Sequence, residues 1–207
     1  VDEARLSRAL VAARADLVAT AGTTLAEELA VAGSCEQLGI AFAGPGTRIL
    51  RRFADEVGVR QTARKLGLAV VPWSDGVVAA AAEATRHAER LGLPVRVRAL
   101  AGGDAVVRVV DRLEDVAGVF EDVRVRSLAC SGDARVVLEA VRADAVRWTV
   151  QVLADASGEA RVAGVLRRAH AGSVLDEAPA GLPLEVEDAL AAAALRLAGA
   201  LEVRGPA

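Results

Sequence analysis

Residues 91–110, LGLPVRVRALAGGDAVVRVV, decide how the chain is read. Val95, Val97 and Ala99 alternate with Arg96 and Arg98, the two-residue period of a strand. Residues 105–111, AVVRVVD, read as a second strand. Between them stand Gly102, Gly103 and Asp104, residue types that turn a chain tightly. A strand pair around a glycine turn is therefore expected. The stretch also raises a chemical question, because glycines after a strand are how phosphate-cradling loops begin. Here the loop stops after two glycines and an acid follows.

The flanks extend the pattern. Residues 77–92, VVAAAAEATRHAERLG, form a helical run stopped by Gly92. RLEDVAGVFEDVRVRSLA, 112–129, is a second helical run, and ARVVLEAV, 134–141, a third strand. In LAVVPW, 68–73, Pro72 pushes Val71 into the extended region. Residues 71–142 thus read as one α+β module.

Residues 1–45 read as helix, strand, helix, strand: DEARLSRALVAARA, DLVAT, LAEELAVAGSCEQLG closed by Gly39, and IAFAGP. That order implies a partial parallel α/β layer. Residues 46–70 carry the polar stretch TRILRRFADEVGVRQTARKLG, expected as one linker helix. From 143 onwards RWTVQVLAD and ARVAGVL read as strands joined by the turn ASGE. LPLEVEDALAAAALRLAGAL closes as a helix, with Glu185, Glu187 and Asp188 at its positive dipole end. The fold class is α/β (α+β) throughout.

Composition narrows the function. Of 207 residues, 53% are hydrophobic and 2% aromatic, enough for a core built of Ala, Val and Leu. The net charge of −3 argues against nucleic acid and anionic membranes, which select basic faces. No apolar run reaches the roughly 20 residues of a membrane span. No signal peptide is recognisable, so the cytoplasm is the expected compartment. Cys35 and Cys130, the two cysteines, are expected as reduced buried thiols and supply no zinc site. The sequence holds no Met, and a piece of a longer polypeptide is expected.

Six short words, in order, resemble the biotin carboxylase branch of the ATP-grasp superfamily. They are CEQLGIAFAGPG (35–46), VVPWSDG (70–76), LGLPVRVRALAGG (91–103), VVLEAV (136–141), VQVLADASGE (150–159) and DEAPAG (176–181). The resemblance implies a remnant of the N-terminal domain at 1–45, the linker helix at 46–70, the lid (B domain) at 71–142 and the start of the C-terminal ATP-grasp domain at 143–207. It also implies ATP, Mg²⁺ and biotin as the family's cofactors, and other domains or subunits of an acyl-CoA or acetyl-CoA carboxylase as partners. A homo-oligomer, or a place within a larger chain, is expected.

The same resemblance marks where the chain departs from the family. Arg98 stands for the strand lysine that faces ATP phosphate, and arginine keeps the charge but not the shape. Asp55–Glu56 stands for an Asp-Lys pair, a charge reversal. The tetraglycine lid is reduced to Gly102, Gly103, Asp104, Ala105, Val106 and Val107. Glu139–Ala140 stands for the hinge Glu-Lys, and Arg147 and Thr149 stand for a His and a Glu. The basic loop becomes LRRAHAGSVL, where Arg167, Arg168 and His170 are the anion-site candidates. The family's metal-binding glutamates lie after the closing helix, beyond Ala207.

The expected residual nucleotide site is therefore Arg98, Gly102, Gly103 and Glu139, with no catalytic residue, no metal ligand and no cofactor for this segment. An ordinary hairpin turn with a surface arginine is the favoured reading of Arg98 and the two glycines, because Asp104 beside a phosphate would repel it. His87 is expected on a solvated helix face, and Asp55–Glu56 likewise. Trp73 and Trp148 are expected in the core or an interface. Two functions remain open: a structural module that kept the fold and lost the chemistry, and the front part of an active ATP-dependent carboxylase whose catalytic half lies downstream. A ligand-sensing domain without turnover is a variant of the first.

Overall fold

The computed structural model describes residues 2–20, 24–101, 106–142, 145–168, 176–177 and 181–204. The chain divides into two compact units, Ala69–Ala145 and Val1–Leu68 with Val146–Ala207.

The discontinuous unit begins with α1 (Glu3–Ala13), β1 (Leu17–Val18), α2 (Leu25–Leu38) and β2 (Ala41–Phe42). β1 and β2 pair in parallel, Leu17 with Ala41 and Val18 with Phe42, as the helix between two apolar strands predicts. Thr24 and Glu27 form a capping box at the start of α2. Gly39 ends that helix at φ 68°, a conformation that favours glycine. Cys35 is buried, which pushes its thiol pKa up.

The polar stretch expected as one linker helix is two. α3 (Thr47–Ala54) stops at Asp55, and α4 (Glu56–Lys65) starts there. Asp55 leaves the helical region, and its Oδ1 accepts a hydrogen bond from the Gly58 amide at 3.1 Å. A short carboxylate that can bond its own backbone competes with a continuous helix. Gly58 permits the bend, because a Cβ there would collide with the Asp55 carboxylate. Asp55→Ala should cost about 1 kcal/mol. The loss is read as a lower melting temperature with faster hydrogen exchange at the Gly58 amide.

The second half of this unit is β6 (Trp148–Ala154), β7 (Ala160–Arg168), β8 (Asp176–Glu177) and α7 (Leu184–Ala200). The sheet is antiparallel in the order β6-β7-β8, and α7 packs on β6 and β7. The expected turn between β6 and β7 is held by Asp155, whose Oδ1 accepts from the Glu159 amide at 2.9 Å and from Ser157 Oγ at 2.6 Å. α3 grips the end of α7: Arg52 Nη1 donates to the Leu201 carbonyl at 2.9 Å, one of the orphan acceptors of a helix C-terminus. Arg48 Nη1 lies 2.8 Å and Arg52 Nη1 3.0 Å from Glu202 Oε2. The Arg48 hydrogen bond, and then the Arg52 charge, hold the Glu202 carboxyl below its ordinary pKa.

The continuous unit holds α5 (Ala81–Leu91), β3 (Val95–Ala99), β4 (Val107–Val110), α6 (Val116–Ser131) and β5 (Val136–Ala140). Its sheet is antiparallel in the order β4-β3-β5. Alternation assigns the faces. Val95, Val97, Ala99, Val136 and Leu138 join Ala84 and Ala88 of α5 and Val116, Phe120 and Val123 of α6 in one buried cluster. Arg96, Arg98 and Glu139 stand on the other face. Cys130, expected to be buried, is exposed, because it lies in the last turn of α6 beyond Ser127, the last buried position of that helix. Among the described residues, no helix is long and apolar enough to cross a membrane.

Candidate functional site

The site lies on the sheet face of Ala69–Ala145 that α5 and α6 do not cover. β3 places Arg96 opposite Glu139 of β5 and Arg98 opposite Val137. Two residues of one strand therefore present two guanidinium groups to one carboxylate on the next. Arg98 Nη2 meets Glu139 Oε1 at 2.9 Å and Arg98 Nε the same oxygen at 3.3 Å. Arg96 Nη1 lies 3.6 Å from Oε2. The Glu139 side chain is only 7% exposed, against 19% for Arg98 and 41% for Arg96.

The backbone around Glu139 is equally committed. Trp73 bridges to Glu139 in an antiparallel sense, and the Ala140 amide donates to the Pro72 carbonyl at 2.8 Å. The Ser74 amide donates to the Leu138 carbonyl at 2.9 Å, and Ser74 Oγ accepts from the Leu138 amide at 3.3 Å. Segment 72–74 thus runs along the outer edge of β5 and closes it. Trp73 is buried, as its place in a strand word predicts. A carboxylate held this far from water persists only when paired, and Arg98 is the pairing group.

Of the residues singled out in the sequence, the structure brings Arg98 and Glu139 together. Gly102, Gly103 and His170, with the side chain of Arg168, lie outside the described residues. Arg167 is exposed on β7, opposite Trp148 and Glu177. Arg147 is exposed and Thr149 half-buried. Glu56, in the first turn of α4, pairs with Arg60 at 2.7 Å, an i,i+4 contact at the helix end that favours acids. His87 differs from expectation: it is half-buried in a chain of side chains rather than solvated. Its Nδ1 lies 3.0 Å from Arg90 Nη2 and its Nε2 3.5 Å from Glu83. Arg90 also reaches Asp75 and the Trp73 carbonyl, which draws the last turn of α5 onto that loop.

Sequence reading missed Arg96 as a site residue. The signal was present, because a two-residue period puts Arg96 and Arg98 on one face. Arg96, Arg98 and Glu139 together carry one net positive charge. A triphosphate carries several negative charges and needs cations not already neutralised, so this trio is a poor match for it. Among the described residues, no group of three His, Cys, Asp or Glu side chains could hold a metal ion.

Comparison with known proteins places the fold. The family model described as carbamoyl-phosphate synthase L chain, ATP binding domain, matches residues 55–207. Pyruvate carboxylase 1 of Caenorhabditis elegans is 34% identical over 181 residues, which cover 84% of this chain and 15% of that protein. The chloroplastic biotin carboxylase 1 of Populus trichocarpa is 30% identical over 184 residues, covering 86% of this chain and 34% of that one. The biotin carboxylase of Campylobacter jejuni, solved as a complex with β,γ-ATP, superposes with a TM-score of 0.89 at 25% identity, over 99% of this chain and 47% of its own. The chain thus spans less than half the length of these relatives. It belongs to the family of the carbamoyl-phosphate synthase L chain ATP-binding domain, as a biotin-carboxylase-like ATP-grasp domain.

Proposed function

We propose that the chain is a biotin-carboxylase-like module that has kept the fold and lost phosphate chemistry, and that it serves as a structural or interaction domain of an acyl-CoA carboxylase or related multi-enzyme. The observation that carries this reading is the change of charge at the matched cation positions: Arg98, paired with Glu139, stands in place of the family's phosphate-facing lysine. The position matched to the linker-helix lysine carries Glu56, itself paired with Arg60. An acid in place of a cation about 4 Å from a phosphate costs about 1–4 kcal/mol at the dielectric of a protein surface. Millimolar to micromolar binding is worth only about 4–8 kcal/mol, so most of it is lost.

Exposed apolar side chains support the interaction role. Leu17, Leu153 and Leu184 are large side chains more than half exposed, and the interaction role proposes that a partner covers them. Carboxylase domains or a second copy of the chain are the partners proposed, with no cofactor bound by this segment. Arg98 and Glu139, with Gly102 and Gly103, are then the residue of a former nucleotide lid, and Arg167, Arg168 and His170 that of an anion loop.

The test is thermal. A ligand at about a hundred times its Kd stabilises the folded state by about 2.7 kcal/mol, which moves a melting temperature by several degrees. Millimolar MgATP should leave the melting temperature of this chain where magnesium alone leaves it. A nucleotide-specific rise would return the chain to the enzyme reading.

A further inference from the structure

The sheet of Ala69–Ala145 has one edge closed by segment 72–74 and one edge, β4, left open. The bonds at the closed edge fix which residues of β4 face outward. The Leu138 amide donates to Ser74 Oγ and its carbonyl accepts from the Ser74 amide, so Leu138 faces away from β3. An antiparallel ladder alternates, so Val137 and Glu139 turn their backbones to Arg98 and Arg96 of β3. Val97 and Val95 then face β4, where they meet Arg108 and Val110. The backbones of Val107 and Val109 are left pointing outward. The Val107 carbonyl is taken by Arg108, whose Nη1 donates to it at 2.8 Å. Val109 keeps an amide and a carbonyl without a partner among the described residues, and it is 54% exposed.

Beside this edge lies a groove of about 430 Å³, where β4 leads into the start of α6. Val110, Gly118 and Val119 give it an apolar lining, and Asp111 and Asp115 charge it. A third acid, Glu114, is paired with Arg112. Asp111 and Asp115 are exposed and make no ion pair among the described residues. The groove therefore holds three acids against one arginine.

We propose that β4 takes up an extended, basic segment of a partner protein as a fourth, antiparallel strand. The residue opposite Val109 closes one hydrogen-bonded pair with its free amide and carbonyl. The next residue points to the groove side and is apolar, to meet Val110 and Val119. The one after faces Asp111 and is arginine or lysine, an opposite-charge pair across strands. A second copy of this chain is the poorer occupant. Pairing β4 with itself about Val109 sets Asp111 against Val107, and pairing about Arg108 sets two arginines together. This surface goes beyond the reading above and does not depend on the loss of nucleotide binding.

The probe is the peptide acetyl-Arg-Val-Thr-Val-Thr-amide, titrated into the full 207-residue chain and followed by the NMR signals of the backbone amides. The Val109 amide should shift saturably, together with those of Gly118 and Val119. A peptide with Glu in place of Arg should bind about tenfold more weakly. Asp111→Asn should weaken the basic peptide about threefold. Val109→Pro, which removes the outward amide, should abolish binding. Should Val109→Pro be partly unfolded, methylating the amide nitrogen of the central Thr of the peptide removes the matching donor and leaves the chain unaltered.

Equal binding of the Arg and Glu peptides would overturn the proposal, as would undiminished binding of the methylated one or no shift at Val109. A dimer of the unaltered chain that Val109→Pro dissolves would also overturn it, by giving the edge to a second copy. MgATP binding, by contrast, would refute the loss of nucleotide function and leave this edge as it stands.

Discussion

Glu139→Ala is expected to destabilise the Ala69–Ala145 unit by about 2–4 kcal/mol, the range for removing one member of a mostly buried ion pair. Two costs add. Arg98 loses the acceptor that meets both its Nη2 and its Nε, and it is only 19% exposed. The vacated space lies beside Trp73 and Val137, both buried, so little water can enter to solvate the guanidinium. Arg96 loses less, because it is 3.6 Å away and better exposed. Glu139→Gln should cost less than Glu139→Ala, since it keeps volume and one acceptor. Chemical denaturation of the three proteins measures the series. A neutral Glu139→Ala would mean that the pair contributes nothing to the fold.

Phe120→Ala is expected to cost about 3–5 kcal/mol, the range for deleting a fully buried aromatic. Phe120 has no exposed surface and is the largest of the fully buried side chains. It projects from α6 into the cluster of Val95, Val97, Val136 and Leu138. Those neighbours are β-branched or sit on paired strands, so they cannot relax into the hole. With stability of about 5–15 kcal/mol usual for a whole domain, such a loss approaches unfolding. Loss of the midpoint in a urea titration, or a shift of that size, is the readout. A change below about 1 kcal/mol would show that the cluster is loosely packed.

The elements of this fold were legible where one short-range rule governed each of them. The alternation of Arg96 and Arg98 with three small apolar residues fixed both the strand and its two faces. Gly39 and Gly92 marked helix ends, and ASGE marked the hairpin. The break at Asp55 was not legible, because the residues on either side continue a helical pattern. What ends α3 is the choice of the Asp55 carboxylate for the Gly58 amide, a competition that composition does not reveal.

The candidate site was half legible. Arg98 and Glu139 were each marked by resemblance, but 41 residues separate them. Only the antiparallel register of β3 and β5 makes them partners, with Arg96 as a third member. Nor did VVLEA announce a buried charge: an acid inside an apolar strand reads as a surface position until the neighbouring strand supplies its cation. His87 was misjudged for a related reason. A helical pattern gives the face of a residue, not the loop that Arg90 reaches for over it.

We propose that this fold no longer binds nucleotide. Isothermal titration of the unaltered chain with ATP, with and without Mg²⁺, tests it most directly. No saturable heat is expected at millimolar nucleotide. Micromolar binding that disappears on Arg98→Ala, in a variant shown to be folded, would contradict it, because Arg98 would then be serving phosphate rather than Glu139.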